Sequence, residues 1–169
     1  ALSIDTRHAD VMTAALRAGA TIINDVTALT GDRRSLTAAG AAQVVVLMHL
    51  QGDPRTMNEN PVYDDVVLDI FDFLEDRVEA CIAAGIERRR LIVDPGIGFG
   101  KKGEHNLEIL RSVALFHGIG CPVLLGVSRK GLTTAHDRKY SPKDRLPGSL
   151  AAALAGLNRG AQMLRVHDV

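Results

Sequence analysis

The sequence predicts an α/β protein in which parallel strands and helices alternate around a TIM (β/α)8 barrel. Six apolar runs recur along the chain. They are continuous rather than alternating, which is typical of parallel strands that are buried on both faces. The long polar, Gly-rich segments follow strands, as the ligand-binding loops of barrels do. No G-x-G-x-x-G motif opens the first helix, so an open doubly wound sheet is the less favoured alternative.

Helical spacing of apolar residues and glycine stops define the elements in order. The predicted strands are Ala1–Ile4, Thr21–Ile23, Val44–Met48, Leu91–Asp94, Val123–Val127 and Met163–Val166. The predicted helices are Ala9–Ala18, Asp32–Ala39, Tyr63–Ala84, His105–Leu115 and Ser149–Asn158. We expect the buried faces to be Val11, Ala14, Ala15 and Ala18 in the first helix, and Leu107, Leu110, Val113 and Ala114 in the fourth. Two long polar loops, Leu50–Val62 and Gly131–Pro147, follow the third and fifth strands.

Composition and charge exclude several classes of protein. A chain of 169 residues with 20 basic and 20 acidic residues suits one domain without a basic stripe, so we expect no nucleic-acid partner. No apolar run approaches the length that spans a membrane, so we expect no membrane partner. Cys81 and Cys121 lack metal-ligand spacing and are predicted to be reduced core thiols, which favours a cytoplasmic location. The run Arg88–Arg90 is predicted to be solvated surface.

The stretch Leu91–Lys101, LIVDPGIGFGK, is the strongest local signal in the chain. A buried strand ends at Asp94, and Pro95 with three glycines then prevents regular structure. This pattern presents a carboxylate to a ligand at the end of a strand. The alternative is a tight turn in which Asp94 caps the next helix, but that helical pattern begins about ten residues downstream, too far for a cap.

Polar residues follow every predicted strand, at the end where parallel sheets bind ligands. They are Asp5, Asn24, His49, Asp94, Ser128, Lys130, Arg165 and His167. Any one of them could be an ordinary cap, but six strands in succession are hard to explain in that way. Acceptors, an amide and a cation together suit a flat heterocycle, and Arg165 with His167 suits an anionic group on it. Scattered histidines, and the absence of a nucleophile elbow or a Walker loop, disfavour other chemistries.

Eight segments, in this order, resemble the dihydropteroate synthase family. They are IDT, INDV, VVLMHLQGDPRTM, DPGIGFGK, EHN, GVSRK, GSLAAAL and RVHDV. The resemblance covers essentially the whole chain. It implies a barrel that joins 6-hydroxymethyl-7,8-dihydropterin diphosphate to p-aminobenzoate, yielding 7,8-dihydropteroate and diphosphate in folate biosynthesis. It also implies a magnesium cofactor, a homodimer and a target of sulfonamides.

The resemblance implies a role for individual residues. Catalysis is expected from Asp94, Lys130 and Arg165. The pterin is expected to contact Asp5, Asn24, Val26, Met48, Asp94, Lys130 and Arg165. The diphosphate is expected to contact Arg165 and His167. The p-aminobenzoate is expected to contact Phe99, Ser128 and Lys130.

Some features depart from the family pattern. The family usually has Ser, an apolar pair and Gly after SRK, where this chain has Gly131-Leu132-Thr133-Thr134, which puts the local loop shape in doubt. We count six strands where the family has eight. We therefore expect residues 1–169 to be one pterin-binding domain that is incomplete at both ends, without the first two strands, the asparagine near the magnesium and the last helix. A pterin-dependent methyltransferase, a non-catalytic pterin-binding paralogue and a bare folding fragment are the alternatives.

Overall fold

The computed structural model describes residues 1–131 and 141–169. Within them, six parallel strands succeed one another in chain order. The strands are β1 Ser3–Asp5, β2 Ile22–Asp25, β3 Val44–Met48, β4 Leu91–Asp94, β5 Leu124–Leu125 and β6 Met163–Leu164. The first four form one sheet in the order β1-β2-β3-β4, and β5 pairs with β6. A parallel bridge between Val93 and Val123 joins the two groups.

The sequential strand order distinguishes a barrel wall from an open doubly wound sheet. In a doubly wound sheet the order reverses at a switch point, whereas barrel strands follow one another around the ring. No reversal occurs among the described strands. The prediction of parallel βα units is confirmed, and the strand bounds agree with the predicted ones to within a few residues.

The helices lie where the sequence predicts them, with shifted ends. They are α1 Ala9–Arg17, α2 Ser35–Ala39, α3 Val66–Ala83, α4 Gly103–Arg111 and α5 Leu146–Leu157. The helix α3 begins at Val66 because the Asp65 carboxylate accepts hydrogen bonds from the backbone of Val67 and Leu68 at 2.9 and 3.0 Å. The predicted fourth helix ends at Arg111 and continues as a 3-10 helix, Val113–Ile119. The predicted loop Gly131–Pro147 is partly wrong, since a 3-10 helix, Pro142–Arg145, precedes α5, and its residues 132–140 lie outside the described part.

One predicted helix face is wrong and another is wrong in part. In α1 the buried residues are Ala9 and Met12, whereas Val11 is 44% exposed. In the fourth helix, Leu110 and Val113 are buried as predicted, but Leu107 is 41% exposed and Ile109 is buried instead. The α1 face was predicted from alanines, which are small enough to lie at the surface, whereas the larger Met12 faces the core.

The strands separate two apolar layers. Alternate residues such as Val45 and Leu47 point outward and join the large core beneath the helices. The residues between them point into the barrel, where Val46, Ile92 and Leu124 form a small separate cluster. This alternation decides which strand-end side chains reach the interior.

Two of the arginine residues predicted to be solvated surface, Arg88 and Arg90, bind carbonyl groups of the loops that precede β5 and β3. Arg88 donates to the Ile119 carbonyl and to Glu79, both at 2.5 Å. Arg90 donates to the carbonyls of Gly40, at 2.8 Å, and Ala42. The prediction holds for Arg89, whose side chain is 80% exposed, and is wrong for Arg88 and Arg90, because half-buried arginines satisfy loop carbonyls as well as water.

The two cysteines are free and buried, as predicted. Burial raises the pKa of the Cys81 thiol to about 11, so this thiol stays protonated. No helix in residues 1–131 and 141–169 has the length and apolar character needed to cross a membrane.

Candidate active site

The parallel register brings the strand-end residues to one rim of the barrel wall. Asp5 pairs with Asn24 across β1 and β2, and Met48 pairs with Asp94 across β3 and β4. Asn24, Met48 and Asp94 are buried, and Asp5 is exposed. An apolar cavity of about 350 Å³ lies beside this rim, lined by Asn24, Arg165 and inner strand residues. The rim therefore offers polar groups above an apolar floor, which is typical of a small-molecule site.

Arg165 bridges two of these groups. Its Nη2 donates to Asp94 Oδ2 at 2.8 Å, and its Nη1 donates to Asn24 Oδ1 at 3.2 Å. The Met48 sulfur lies 3.9 Å from Nη2. Gly126 makes room for the guanidinium, since a Cβ at that position would lie 2.7 Å from Nη2. A single guanidinium thus spans two acceptors that come from two different strands.

The Asn24 amide is only half satisfied. Its oxygen accepts from Arg165, but its Nδ2 is buried and has no hydrogen-bond partner among the residues that the structure describes. A buried donor without a partner costs about 1–3 kcal/mol. An acceptor on a bound ligand would remove this cost.

Asp94 is held by the turn that follows it. Its Oδ1 accepts from the Gly96 backbone at 2.8 Å, so the carboxylate closes an Asx turn. Gly96 adopts a φ of +69°, and a Cβ there would lie 1.9 Å from the His49 carbonyl oxygen. Only glycine fits this position. The alternative in which Asp94 caps a helix is wrong, because α4 begins at Gly103.

Lys130 contacts the Gly-rich loop from the other side. Its Nζ donates to the Ile97 carbonyl and lies 4.5 Å from the centroid of the Phe99 ring. Burial lowers the pKa of Lys130 to about 8, an effect that Asp94 opposes and Arg165 reinforces. The two residues predicted to contact p-aminobenzoate through this loop, Phe99 and Lys130, therefore lie against each other.

Ser128 and His167 are linked through backbone rather than through facing side chains. The Ser128 hydroxyl accepts from the His167 N–H at 3.2 Å, and the His167 side chain is exposed. Arg129 between them has a φ of +57°, pairs with Asp168, and donates its own N–H to Ser149 at 2.7 Å. The structure thus joins the ends of β5 and β6 but leaves His167 away from Asp94. Val26, predicted to pack near the ring, lies partly buried just after β2.

Sequence reasoning missed two buried polar residues near the site. Lys101 is 6% exposed and donates to His49 and to the Phe99 carbonyl. Asn106 is 5% exposed, and its side chain accepts from the Gly98 backbone at 2.7 Å and donates to the Lys102 carbonyl at 2.8 Å. The available signal was the run of glycines before Lys101, which implies a loop that needs fixing by side chains.

The described residues do not fit a metal centre of their own. No group of three or more His, Cys, Asp or Glu in residues 1–131 and 141–169 is arranged to hold an ion.

The chain matches the family model "Pterin binding enzyme" over residues 1–167. It belongs to the pterin-binding enzyme family. The dihydropteroate synthase of Haemophilus influenzae is 45% identical over 169 residues. Solved structures of Xanthomonas albilineans dihydropteroate synthase, one with 4-aminobenzoic acid and one with 7,8-dihydropteroate, superpose with TM-scores of 0.91 and 0.90 at 44% and 43% identity.

These matches cover nearly all of this chain but only part of each relative. Each of these matches spans 99% of this chain, but 61% of the Haemophilus protein and 59% and 61% of the two Xanthomonas chains. The chain thus spans about three fifths of the length of the relatives it matches. The likeness confirms the barrel-type fold predicted from the sequence, in a chain with six described strands.

Proposed function

We propose that this chain carries the pterin and p-aminobenzoate subsites of a dihydropteroate synthase. Such an enzyme condenses 6-hydroxymethyl-7,8-dihydropterin diphosphate with p-aminobenzoate. The single observation that carries the proposal is the Arg165 guanidinium bridging Asp94 and Asn24. The 2-amino-4-oxo edge of a pterin presents adjacent N–H donors in a plane, as a guanidinium does. The relatives' names and their bound aminobenzoate and dihydropteroate support the same function.

In the proposed reaction, the aniline nitrogen attacks the exocyclic carbon of the pterin and the C–O bond to diphosphate breaks. The bonding electrons leave with the diphosphate, and the amine proton goes to solvent. Positive charge develops on the pterin and negative charge on the leaving group. The carboxylates of Asp94 and Asp5 are suited to stabilise the positive charge on the pterin. Arg165 and His167 are suited to stabilise the negative charge on the diphosphate, through preorganised charge.

In this scheme Arg165 binds two different sets of groups in turn. In the structure its guanidinium binds Asp94 and Asn24, the acceptors that we assign to the pterin. Pterin entry displaces it from both, and the released guanidinium then lies free to bind the diphosphate. Lys130 and Phe99, in contact with each other, border the place of p-aminobenzoate, and Ser128 lies at the end of the adjoining strand. The amine needs placement rather than a strong base.

Two other functions use the same site. A pterin-dependent methyltransferase would grip a pterin with Asp94, but it has no diphosphate for Arg165 and His167 to hold. A non-catalytic paralogue would bind the pterin diphosphate without consuming p-aminobenzoate, and the altered sequence after Lys130 is compatible with this alternative. A synthase gives a role to more of the site residues than either alternative does, including Arg165 and His167.

Cofactor, assembly and location are part of the proposal. Magnesium is proposed as the ion that accompanies the diphosphate, and no step is assigned to it. A homodimer is supported by the exposed apolar face of α5, where leucines recur at helical spacing. They are Leu146, Leu150, Leu154 and Leu157, between 41% and 63% exposed. Free, buried cysteines support a cytoplasmic location.

The test is diphosphate release from 6-hydroxymethyl-7,8-dihydropterin diphosphate by the 169-residue chain, with magnesium and with or without p-aminobenzoate. Release that requires p-aminobenzoate and yields dihydropteroate supports the synthase. Binding of the pterin diphosphate without release favours the paralogue. A parallel assay with a methyl-tetrahydropterin and a thiol acceptor separates out the methyltransferase. The absence of both binding and turnover refutes the proposal.

A further inference from the structure

The loop Pro95–Gly100 is fastened to the sheet by a buried lysine. Lys101 Nζ lies 2.9 Å from His49 Nδ1 and donates to the Phe99 carbonyl at 2.9 Å. It also lies 3.4 Å from the His49 carbonyl oxygen. One ammonium group therefore ties the Gly-rich loop after β4 to the end of β3.

His49 is a suitable partner because it is held neutral. It is 6% exposed, and its ring packs edge-on against Phe73 with centroids 5.0 Å apart. Burial and the Lys101 charge lower the pKa of His49 to about 3. A neutral ring whose Nδ1 faces an ammonium acts as a hydrogen-bond acceptor.

Other side chains that contact the loop bind different backbone groups from those bound by Lys101. Asn106 binds the Gly98 N–H, and Tyr63 donates to the Gly100 carbonyl at 2.7 Å. Neither binds the Phe99 carbonyl, and the Phe99 N–H bonds the Gly96 carbonyl at 3.0 Å within the loop itself. Lys101 alone, among the residues that the structure describes, is seen to bind the Phe99 carbonyl. Loss of its ammonium would leave the Phe99 and His49 carbonyls and His49 Nδ1 without these bonds.

The Lys101–His49 contact affects the candidate site through Phe99. The Phe99 ring lies under Lys130, whose Nζ also binds the Ile97 carbonyl of the same loop. A shift of the Phe99 backbone would move both the ring and the lysine that borders it. Asn24 is held by the sheet, and Asp94 binds the Gly96 N–H at the start of the loop, so both pterin acceptors lie further from Phe99 along the chain than Lys101 does.

We propose that Lys101 and His49 form a positioning pair that shapes the loop Pro95–Gly100, so that Phe99 and Lys130 are placed for p-aminobenzoate. The p-aminobenzoate part of this inference rests on the proposed function. Lys101 is thus a positioning residue, not a catalytic one.

The test compares four variants. Lys101→Met removes the ammonium, and Lys102→Met is its matched control, because Lys102 is the exposed neighbour. His49→Leu removes the acceptor, whereas His49→Asn keeps an oxygen near the place of Nδ1. We expect amide exchange of the 95–101 segment to speed up about tenfold in Lys101→Met and His49→Leu, as for one lost net hydrogen bond. We expect little change in Lys102→Met and partial recovery in His49→Asn.

The kinetic readout separates positioning from general destabilisation. In Lys101→Met and His49→Leu, the KM for p-aminobenzoate should rise about tenfold, and the Kd for the pterin diphosphate should rise by a smaller factor because Asp94 and Asn24 keep their own hydrogen bonds. Unchanged exchange in Lys101→Met overturns the inference, and so does an equal loss of both affinities. A wild-type chain without turnover refutes the synthase instead, and the exchange comparison alone then decides whether the pair shapes the loop.

Discussion

Replacing Asp94 by asparagine tests the assignment of the pterin acceptor. The change keeps the size of the side chain but removes its charge and one acceptor oxygen. Hydrogen bonds to charged groups contribute about 1.5–3 kcal/mol, which corresponds to a 10- to 150-fold change in affinity. Asp94→Asn also weakens the contact with Arg165 that the ligand must break, so part of the loss cancels. We expect the Kd for the pterin diphosphate to rise about tenfold, near the lower limit.

The same substitution lowers stability, and this effect needs a control. The Arg165 side chain is 37% exposed, so the pair with Asp94 is only half shielded from water. We expect a loss of about 1–2 kcal/mol, or about 2–8 °C in Tm for a chain of this size. Asp25→Asn is the matched control, since Asp25 is fully buried at the end of the same sheet but binds only Thr27 and Leu29.

Titration calorimetry and thermal unfolding of both variants give the answer. Asp25→Asn should lose stability and keep its affinity for the pterin diphosphate to within about twofold, because alternation along β2 points Asp25 away from the barrel interior. Equal affinity in Asp94→Asn and the wild type would refute the assignment of Asp94. An equal loss of affinity in both variants would show that the effect is one of folding.

Three further predictions concern the leaving group, pH and assembly. Arg165→Met should weaken inhibition by inorganic diphosphate at least about tenfold, because a charge-assisted contact is lost; an unchanged inhibition constant would contradict the assigned role. Burial lowers the pKa of Lys101 to about 7, so the unfolded chain holds more protons between pH 7 and 10.5 and stability rises with pH there. In Lys101→Met the free energy of unfolding, measured with urea, should rise with pH less steeply than in the wild type, by up to about 1.36 kcal/mol per pH unit, and an equal slope in both chains would argue against a lowered pKa of Lys101 in the folded state. The titratable groups that face it are the same in both chains: His49, Asp94 and Lys130. Leu150→Glu should convert a dimer to a monomer in sedimentation velocity, whereas a wild-type monomer would refute the proposed interface.

Strand positions and the polar rim were readable from the sequence because they depend on local rules. Continuous apolar runs mark buried parallel strands, and a polar residue after each one marks the ligand-binding rim. Asp94, Asn24 and Arg165 were placed in this way, and Met48 was expected from the family resemblance; the structure brings all four together. The strand order follows from short right-handed βα connections, which leave few other topologies.

The rest depends on contacts between distant residues. Lys101 looks like a solvated loop lysine until its neighbours His49 and Phe99 are known, and these come from different parts of the fold. The face of α1 was misread because the prediction relied on alanines, which occur on several sides of the helix, and left out Met12, which is buried. Arg88 and Arg90 were wrongly predicted to be solvated because the carbonyl groups that they bind lie on segments distant in sequence.

The most direct test of the account is a crystal structure of the chain bound to the dihydropterin diphosphate. The account predicts that the pterin edge binds Asp94 and Asn24, that Asn24 Nδ2 gains an acceptor, and that Arg165 has left Asp94 for the diphosphate. A pterin bound elsewhere, or Arg165 still bridging Asp94 and Asn24 beside the bound ligand, would contradict it.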